Sequence, residues 1–357
     1  MNLIYTLNYF ATRIYRNKIF NKTIKNQRIP PPSLVVWDCT RRCNLHCEHC
    51  GAAVSKPPKE IAFGEIKKII DDVARMKVNN FFITGGEPLI REDIFEILNY
   101  IHHKGLKSGI ATNGYFIDRQ KAEKLKNAHT YSIQISIDGL KKIHNLIRGN
   151  NESYDKAVKA IGYLKGLKIP LITVASTISK KNLGDLTNIK NLLVKLKVNI
   201  WRICIIMPIG RAKDVKHLLL SPKELIFLLE FVKRNKTSIK IYFGENLPYL
   251  LDYEDKIRQE PFLCPVGITT FCIGTDGKIR GCPEQPPMTK FIEGDTRKQS
   301  IDEIWQKGFQ KYRLNSLIKE DNKCSMCRSK NKCFGGCRVM RLSEIHCIYK
   351  LLGKLHS

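Results

Sequence analysis

The feature that most constrains this chain is the distribution of its thirteen cysteines. Cys39, Cys43, Cys47 and Cys50 crowd into one short stretch. Cys264, Cys272, Cys282, Cys324, Cys327, Cys333, Cys337 and Cys347 fill the last third, and Cys204 stands alone. Thiols used as small hydrophobes do not bunch in this way. The N-terminus interleaves aromatic and basic residues and has no uninterrupted apolar core, so it does not read as a secretory signal. The expected compartment is therefore the cytoplasm, where disulfides are disfavoured. Metal ligation is the leading use for the cysteines. No apolar run approaches the roughly 18 residues of a membrane span.

The first group reads Cys43-Asn-Leu-His-Cys47-Glu-His-Cys50, a CxxxCxxC spacing. Three thiolates so spaced can wrap one iron–sulfur cube and leave one iron without a protein ligand. An open metal position marks a reactive site, whereas closed thiolate sets are structural or carry electrons. The alternative is a zinc knuckle completed by His46 or His49. Cys39, four residues earlier, reads as a buried thiol at a strand end.

Ser33 to Asp38 reads as a buried parallel strand leading into that loop. Further strands are expected at Asn80–Thr84, Lys107–Ala111, Tyr131–Ile137, Leu171–Ser176 and Asn199–Ile206. Helical spacing separates them at Arg91–His103, Asp118–Asn127, Ser153–Lys165 and Asn182–Leu196, and Ser221–Arg234 follows the last. The fold class is α/β, and six alternating strands imply a parallel sheet with right-handed crossovers. Polar and glycine-rich residues fall just after the strands, where barrel enzymes place their chemistry. These are Gly85-Gly86-Glu87-Pro88, Thr112-Asn113-Gly114 and Asp138-Gly139.

CxxxCxxC after the first strand and Gly-Gly-Glu-Pro after the second resemble a radical S-adenosylmethionine (SAM) enzyme. Thr112-Asn113-Gly114, Ser136-Ile-Asp138-Gly139 and His144-Asn-Leu-Ile-Arg-Gly149 are similar to further blocks of that family, over residues 33–235. The resemblance implies a partial (β/α)6 TIM-like barrel with a 4Fe–4S cluster on Cys43, Cys47 and Cys50. SAM would chelate the open iron and be cleaved reductively to a 5′-deoxyadenosyl radical that abstracts hydrogen from substrate. It also implies that Gly85, Gly86 and Glu87 line the methionyl amino group, since glycines permit close backbone approach and a carboxylate accepts from an ammonium. Ser136 and Asp138 are the candidates for ribose contacts. A plain tight turn is the alternative at Gly85-Gly86 and at Asp138-Gly139.

The C-terminal cysteines resemble the seven-cysteine SPASM domain of radical SAM enzymes that act on peptides and proteins. Twelve residues separate Cys264 from Gly277 and four separate Gly277 from Cys282; then follow CxxC, CxxxxxC and CxxxC spacings and finally Cys347. The resemblance implies two auxiliary 4Fe–4S clusters and a crossover. Cys264, Cys272, Cys282 and Cys337 would hold the inner cluster, with Cys272 extra to the seven. Cys324, Cys327, Cys333 and Cys347 would hold the outer one. Two zinc ribbons are the alternative.

The chain has 61 basic and 33 acidic residues, a formal charge of +28. Three clusters lower that to about +23. Residues 1–32 form a basic N-terminal segment in which Arg13, Arg16, Lys18, Lys22, Lys25 and Arg28 meet no acid and interleave with Leu7, Phe10, Ile14 and Phe20. An amphipathic helix packed on the barrel is the plain reading. Peripheral membrane contact and docking of an acidic leader peptide are the others. The barrel spans 33–235, a connector 236–254 and the cysteine-rich domain 255–350. Residues 306–357 are also basic and read as a solvated face. Nucleic acid is an unexpected partner, because the basic residues are dispersed and no recognition motif is present.

The expected activity is hydrogen abstraction from a ribosomally made peptide or protein, with electrons from a donor such as flavodoxin or ferredoxin. One alternative is cofactor biosynthesis with substrate at an auxiliary cluster; another is a non-catalytic metal-binding nucleic-acid protein. Glu284 is the candidate acid/base. Trp201-Arg202, Pro208 and Gly210-Arg211-Ala212 resemble SPASM enzymes encoded beside small peptides.

Overall fold

The computed structural model describes residues 3–52, 57–244, 246–314, 318, 321–343 and 347–352. The expected strands form β1 (Leu34–Asp38), β2 (Asn80–Thr84), β3 (Lys107–Thr112), β4 (Ser132–Ser136), β5 (Leu171–Ile178) and β6 (Ile200–Ile205). They pair in parallel, each with the next. β7 (Lys240–Phe243) continues this order beside β6, so the segment expected as a connector carries a seventh barrel strand. Four residues after a lysine-rich stretch are too short to announce themselves by alternation.

On the other side of β1 lies β8 (Thr270–Ile273), also parallel, followed by antiparallel β9 (Lys278–Arg280) and β10 (Ile292–Asp295). The edges β10 and β7 do not pair with one another, so the barrel is open. The cysteine-rich C-terminal part is thereby an extension of the barrel sheet.

β5 and β6 alternate half-buried and fully buried positions. The buried set, such as Val174, Trp201 and Ile203, joins helix residues Ile66, Ile70, Ile97, Ile161 and Ile189 in one continuous core. The other set faces the lumen, where Arg202 Nη1 donates to Gln134 Oε1 at 3.4 Å. The helices start where capping residues permit. Asp118 accepts from Lys121 N at 2.7 Å, and Ser221 with Glu224 forms a capping box before Pro222. An amphipathic helix at Phe63–Arg75, outside the helices expected above, covers the β1–β2 crossover and buries Ile66, Ile69, Ile70 and Val73.

The N-terminal segment forms helix α1 (Leu3–Ile24). It packs on the C-terminal part of the chain. Asn8 Nδ2 donates to Gln259 O at 2.9 Å, Arg16 lies 3.9 Å over the Phe334 ring, and Arg28 pairs with Asp302 at 3.1 Å. Of the basic C-terminal residues, Lys319 and Lys354 lie outside the described residues.

Trp305 is the keystone of the C-terminal part. It is fully buried against Phe271 of β8 and Phe309, with ring centroids 5.7 and 5.4 Å away, and its indole N–H donates to Pro30 O at 2.7 Å. Arg313 stacks on it at 4.6 Å. Trp305→Ala should cost about 3–5 kcal/mol, the usual loss for a buried tryptophan. Urea unfolding of the cluster-loaded protein measures it, and a change under 1 kcal/mol would show that this cluster packs without it.

Candidate active site

The CxxxCxxC loop leaves the C-terminal end of β1, and neighbouring loops clamp it from several sides. Gly86 N donates to Thr40 O at 2.7 Å and Glu87 N to Arg42 O at 2.9 Å. A Cβ on Gly85 would lie 2.4 Å from Thr40 O, and one on Gly86 would lie 2.2 Å from Arg42 O. Both glycines are required by this backbone contact. At the far end, Arg211 N donates to Cys50 O and Arg211 Nε to Cys47 O, each at 3.0 Å. Gly210, at φ +57°, would put a Cβ 2.6 Å from Cys50 O. Glu48 N donates to Ile147 O at 3.2 Å beside Gly149, whose φ of +63° ends the helix Lys141–Arg148.

Glu87 is fully buried. Its Oε1 accepts from Thr112 Oγ1 at 2.7 Å and Leu89 N at 3.1 Å, and its Oε2 accepts from Asn113 N at 2.7 Å. Burial pushes its carboxyl up, against the pull of these three donors. The carboxylate thus ties the second loop to the third. Asn113 Nδ2 lies 3.9 Å from Cys43 Sγ and donates to Asn44 Oδ1 at 2.8 Å.

Asp138 is also fully buried, at the end of β4. Its Oδ2 accepts from Arg148 Nε at 2.6 Å, with Arg148 Nη2 at the same distance, and its Oδ1 accepts from Thr177 N at 2.8 Å. Both oxygens are already engaged within the chain. Arg148 in turn points Nη1 at Cys47 Sγ, 3.7 Å away. Sequence reading passed over Arg148 within His144–Gly149, although it joins a strand-end carboxylate to a cysteine of the loop. His144 Nδ1 accepts from Asp138 N at 3.1 Å, and His49 Nε2 lies 3.9 Å from Asp138 Oδ2. Burial lowers both imidazoles to about 4. Ser136 stands half-buried at the end of β4, in register with Ala175 and, across β5, Arg202.

Glu284 does not point to open solvent. Its carboxylate lies 3.2 Å from where a Cβ on Gly51 would stand, over the end of the cysteine loop. A buried ion pair fixes that approach. Asp38 Oδ2 meets Arg280 Nη2 at 3.1 Å and is also bonded by Arg41. Arg41 reaches Ala52 O and Pro283 O, and Arg280 reaches Gln285 O at 2.6 Å. Sequence spacing gave no signal for this pair, whose members lie 242 residues apart.

The C-terminal cysteines fall into two sets. Cys324, Cys327, Cys333 and Cys347 line one open pocket. Cys282 has Cys337, Cys264 and Cys272 as its cysteine neighbours. Cys272 is fully buried on β8, and its thiol donates to Ile273 O at 3.4 Å. Cys39 is buried at the end of β1.

The C-terminal sets gather thiols alone, the donors that iron–sulfur clusters take. Among the described residues, no three His, Cys, Asp or Glu side chains converge on one ion position. Burial pushes up the thiols of Cys43, Cys47 and Cys282, and raises Cys333 to about 12. Buried thiols gathered in this way become thiolates only with a bound cation to compensate them. Sulfur also has donors in place: Arg148 on Cys47, Asn113 on Cys43, and Arg341 Nη2 at 3.0 Å from Cys324. Such donors orient and tune ligating thiolates.

An open parallel barrel with a thiol-rich loop at its C-terminal mouth and two further cysteine sets beside it defines an iron–sulfur barrel enzyme. The chain belongs to the radical SAM superfamily, whose sequence profile matches residues 37–193, and it carries a SPASM iron–sulfur cluster-binding domain, matched over 264–345. It therefore uses SAM, one SAM-binding 4Fe–4S cluster and two auxiliary clusters. It is 29% identical to an AdoMet-dependent heme synthase of Methanosarcina barkeri over 89% of this chain and 97% of that one. It is 34% identical to the mycofactocin maturase MftC of Mycobacterium tuberculosis over 87% of this chain and 79% of that one. Streptococcus suis SuiB, solved with its precursor peptide SuiA, shares the fold with a TM-score of 0.72 at 16% identity, covering 96% of this chain and 78% of that one.

Two predictions follow from this geometry. Gly210→Ala adds a Cβ at a positive φ and against the Cys50 carbonyl. It should lower iron from about twelve to about eight per chain by releasing only the loop cluster. Iron analysis with EPR of the reduced protein checks this, and full iron with unchanged spectra would count against the clamp. His144 concerns acid stability. Its folded pKa of about 4 lies below the ordinary 6.5, so the unfolded chain takes up the proton first as pH falls. Stability present above pH 6.5 should fall by about 2 kcal/mol between pH 7 and pH 5 on this account. His144→Gln should flatten that slope in denaturation measured across the window.

Proposed function

We propose that this enzyme abstracts hydrogen from a ribosomally made peptide or protein. The observation that carries this reading is the 34% identity to a maturase across 87% of the chain. A second relative, the PqqA peptide cyclase of Bradyrhizobium diazoefficiens at 25% identity over 86% of the chain, points the same way.

In this reading Cys43, Cys47 and Cys50 hold the SAM-binding cluster. Cys264, Cys272, Cys282 and Cys337 hold the inner auxiliary cluster, and Cys324, Cys327, Cys333 and Cys347 the outer one. When bound, the loop cluster and SAM supply a strongly oxidising carbon radical on one-electron reduction. The chain's own residues position these groups. Gly85, Gly86 and Glu87 present a backbone edge to the methionyl end of SAM, with Glu87 holding that edge in place. Ser136 offers its hydroxyl toward the ribose. Asp138 keeps Arg148 directed at Cys47, and Glu284, beside Gly51 at the end of the cysteine loop, serves as acid or base. Arg41 and Arg280, paired with Asp38, hold the segment Pro283–Gln285 against the first barrel loop.

A second reading, a porphyrin-type substrate, is favoured by the heme synthase relatives and by a further 28% relative named Fe-coproporphyrin III synthase. One experiment separates the two. The anaerobically reconstituted protein, with SAM and dithionite, is given either the short peptides encoded within a few genes of its own or Fe-coproporphyrin III. A mass change in a peptide with matching 5′-deoxyadenosine supports the peptide reading. Turnover of the porphyrin alone would replace it with the second. The Cys43→Ala/Cys47→Ala/Cys50→Ala protein should form no 5′-deoxyadenosine with either substrate.

A further inference from the structure

Helix α1 (Leu3–Ile24) turns one face to the protein and carries an apolar stripe on the other. At about 100° per residue, Arg16, Ile19 and Thr23 lie together on the face turned to the protein. All three are buried. Leu7, Phe10 and Ile14 recur at the same helical spacing on the opposite face. They are 61%, 58% and 69% exposed. Single exposed hydrophobes are ordinary, but a stripe of three on one helix face is a surface built for contact.

The helix cannot roll to hide this stripe. Asn8 is bonded to Gln259, Arg16 is stacked on Phe334, and Arg28 and Ile29 just beyond the helix are held by Asp302 and Gln306. The stripe is therefore held outward.

The charges beside it indicate what covers it. On the helical wheel Arg13 and Lys18 flank the stripe on its two sides, and Lys25 follows directly after the helix end. All three are exposed. No acidic residue occurs among the first 37 positions, and the whole chain carries +28. Long basic side chains bordering an apolar stripe are the arrangement in which stems lie along apolar surface while charged heads meet phosphates. The helix is not apolar enough to cross a bilayer.

We propose that the outward face of α1 seats the enzyme on an anionic phospholipid surface, with Leu7, Phe10 and Ile14 entering the headgroup layer and Arg13, Lys18 and Lys25 meeting lipid phosphates. The inference is independent of the substrate, because none of these residues lies at the barrel mouth.

The full-length, cluster-loaded protein tests it by flotation with vesicles of phosphatidylcholine alone or with about a third phosphatidylglycerol. Binding should require phosphatidylglycerol and weaken as salt rises. Leu7→Ser/Phe10→Ser/Ile14→Ser should lower binding at least tenfold with unchanged iron content and unchanged SAM cleavage. Arg13→Gln/Lys18→Gln should lower it and flatten its salt dependence. As a readout that needs no loss of function, the Phe10→Trp protein should show blue-shifted emission on adding the anionic vesicles only. No binding by the unaltered protein, or equal binding by the Leu7/Phe10/Ile14 variant, would overturn the proposal. So would binding of polyglutamate, an acidic peptide probe, without binding of vesicles.

Discussion

The site depends on contact between two backbones: the turn Gly85–Glu87 laid against Thr40–Arg42. Side chains could not make this contact, because any Cβ at either glycine would overlap a carbonyl oxygen. The loop that follows β1 is long and its described residues have no regular structure of their own, so their shape must be imposed from outside. Glu87 supplies the fastening. A carboxylate buried at 0% exposure would be costly, but three donors from its own and the next loop offset that cost. The same residue thus ties the ends of β2 and β3 to the cysteine loop.

Much of this was legible in sequence because metal sites are local. Thiolates that share a cube must lie close, so spacing alone separates Cys43–Cys50 from the lone Cys204. The six barrel strands β1–β6 and their helices were legible for a similar reason, since period and cap are local properties. What failed to show were pairings between distant segments. Asp38 with Arg280, and Arg41 with Pro283, join the first barrel loop to residues some 240 positions away. Nothing in the neighbourhood of either partner announces the other. β7 was missed because four residues carry too little pattern, and β8 because its strand character is decided by pairing with β1.

Asp138 shows how a correct motif can carry a different physical role. Asp-Gly after β4 reads as a turn or as a ligand contact. In the folded chain its carboxylate is occupied by Arg148 and by Thr177 N. The useful consequence lies one residue further out, at Cys47 Sγ, where Arg148 places a fixed positive charge. A cation beside a thiolate stabilises the more negative, reduced state of an iron–sulfur cluster. The ion pair with Asp138 limits that effect by partly neutralising the guanidinium, and it holds the guanidinium in one orientation.

The position of Glu284 follows from the same long-range pairing. Between Cys282 and Gln285, the chain is held from both sides: Cys282 belongs with Cys264 and Cys337, while Gln285 receives Arg280 and accepts through Oε1 from Gly281 N at 2.8 Å. Four residues with both ends fixed have little freedom, and Arg41 donates to Pro283 O from the cysteine loop. Glu284 is therefore carried to Gly51 by backbone constraint. Its carboxylate is thereby set against the end of the cysteine loop, where the SPASM domain meets the barrel. The placement of Cys282 among its neighbouring cysteines and the placement of Glu284 are linked, because one short segment carries both.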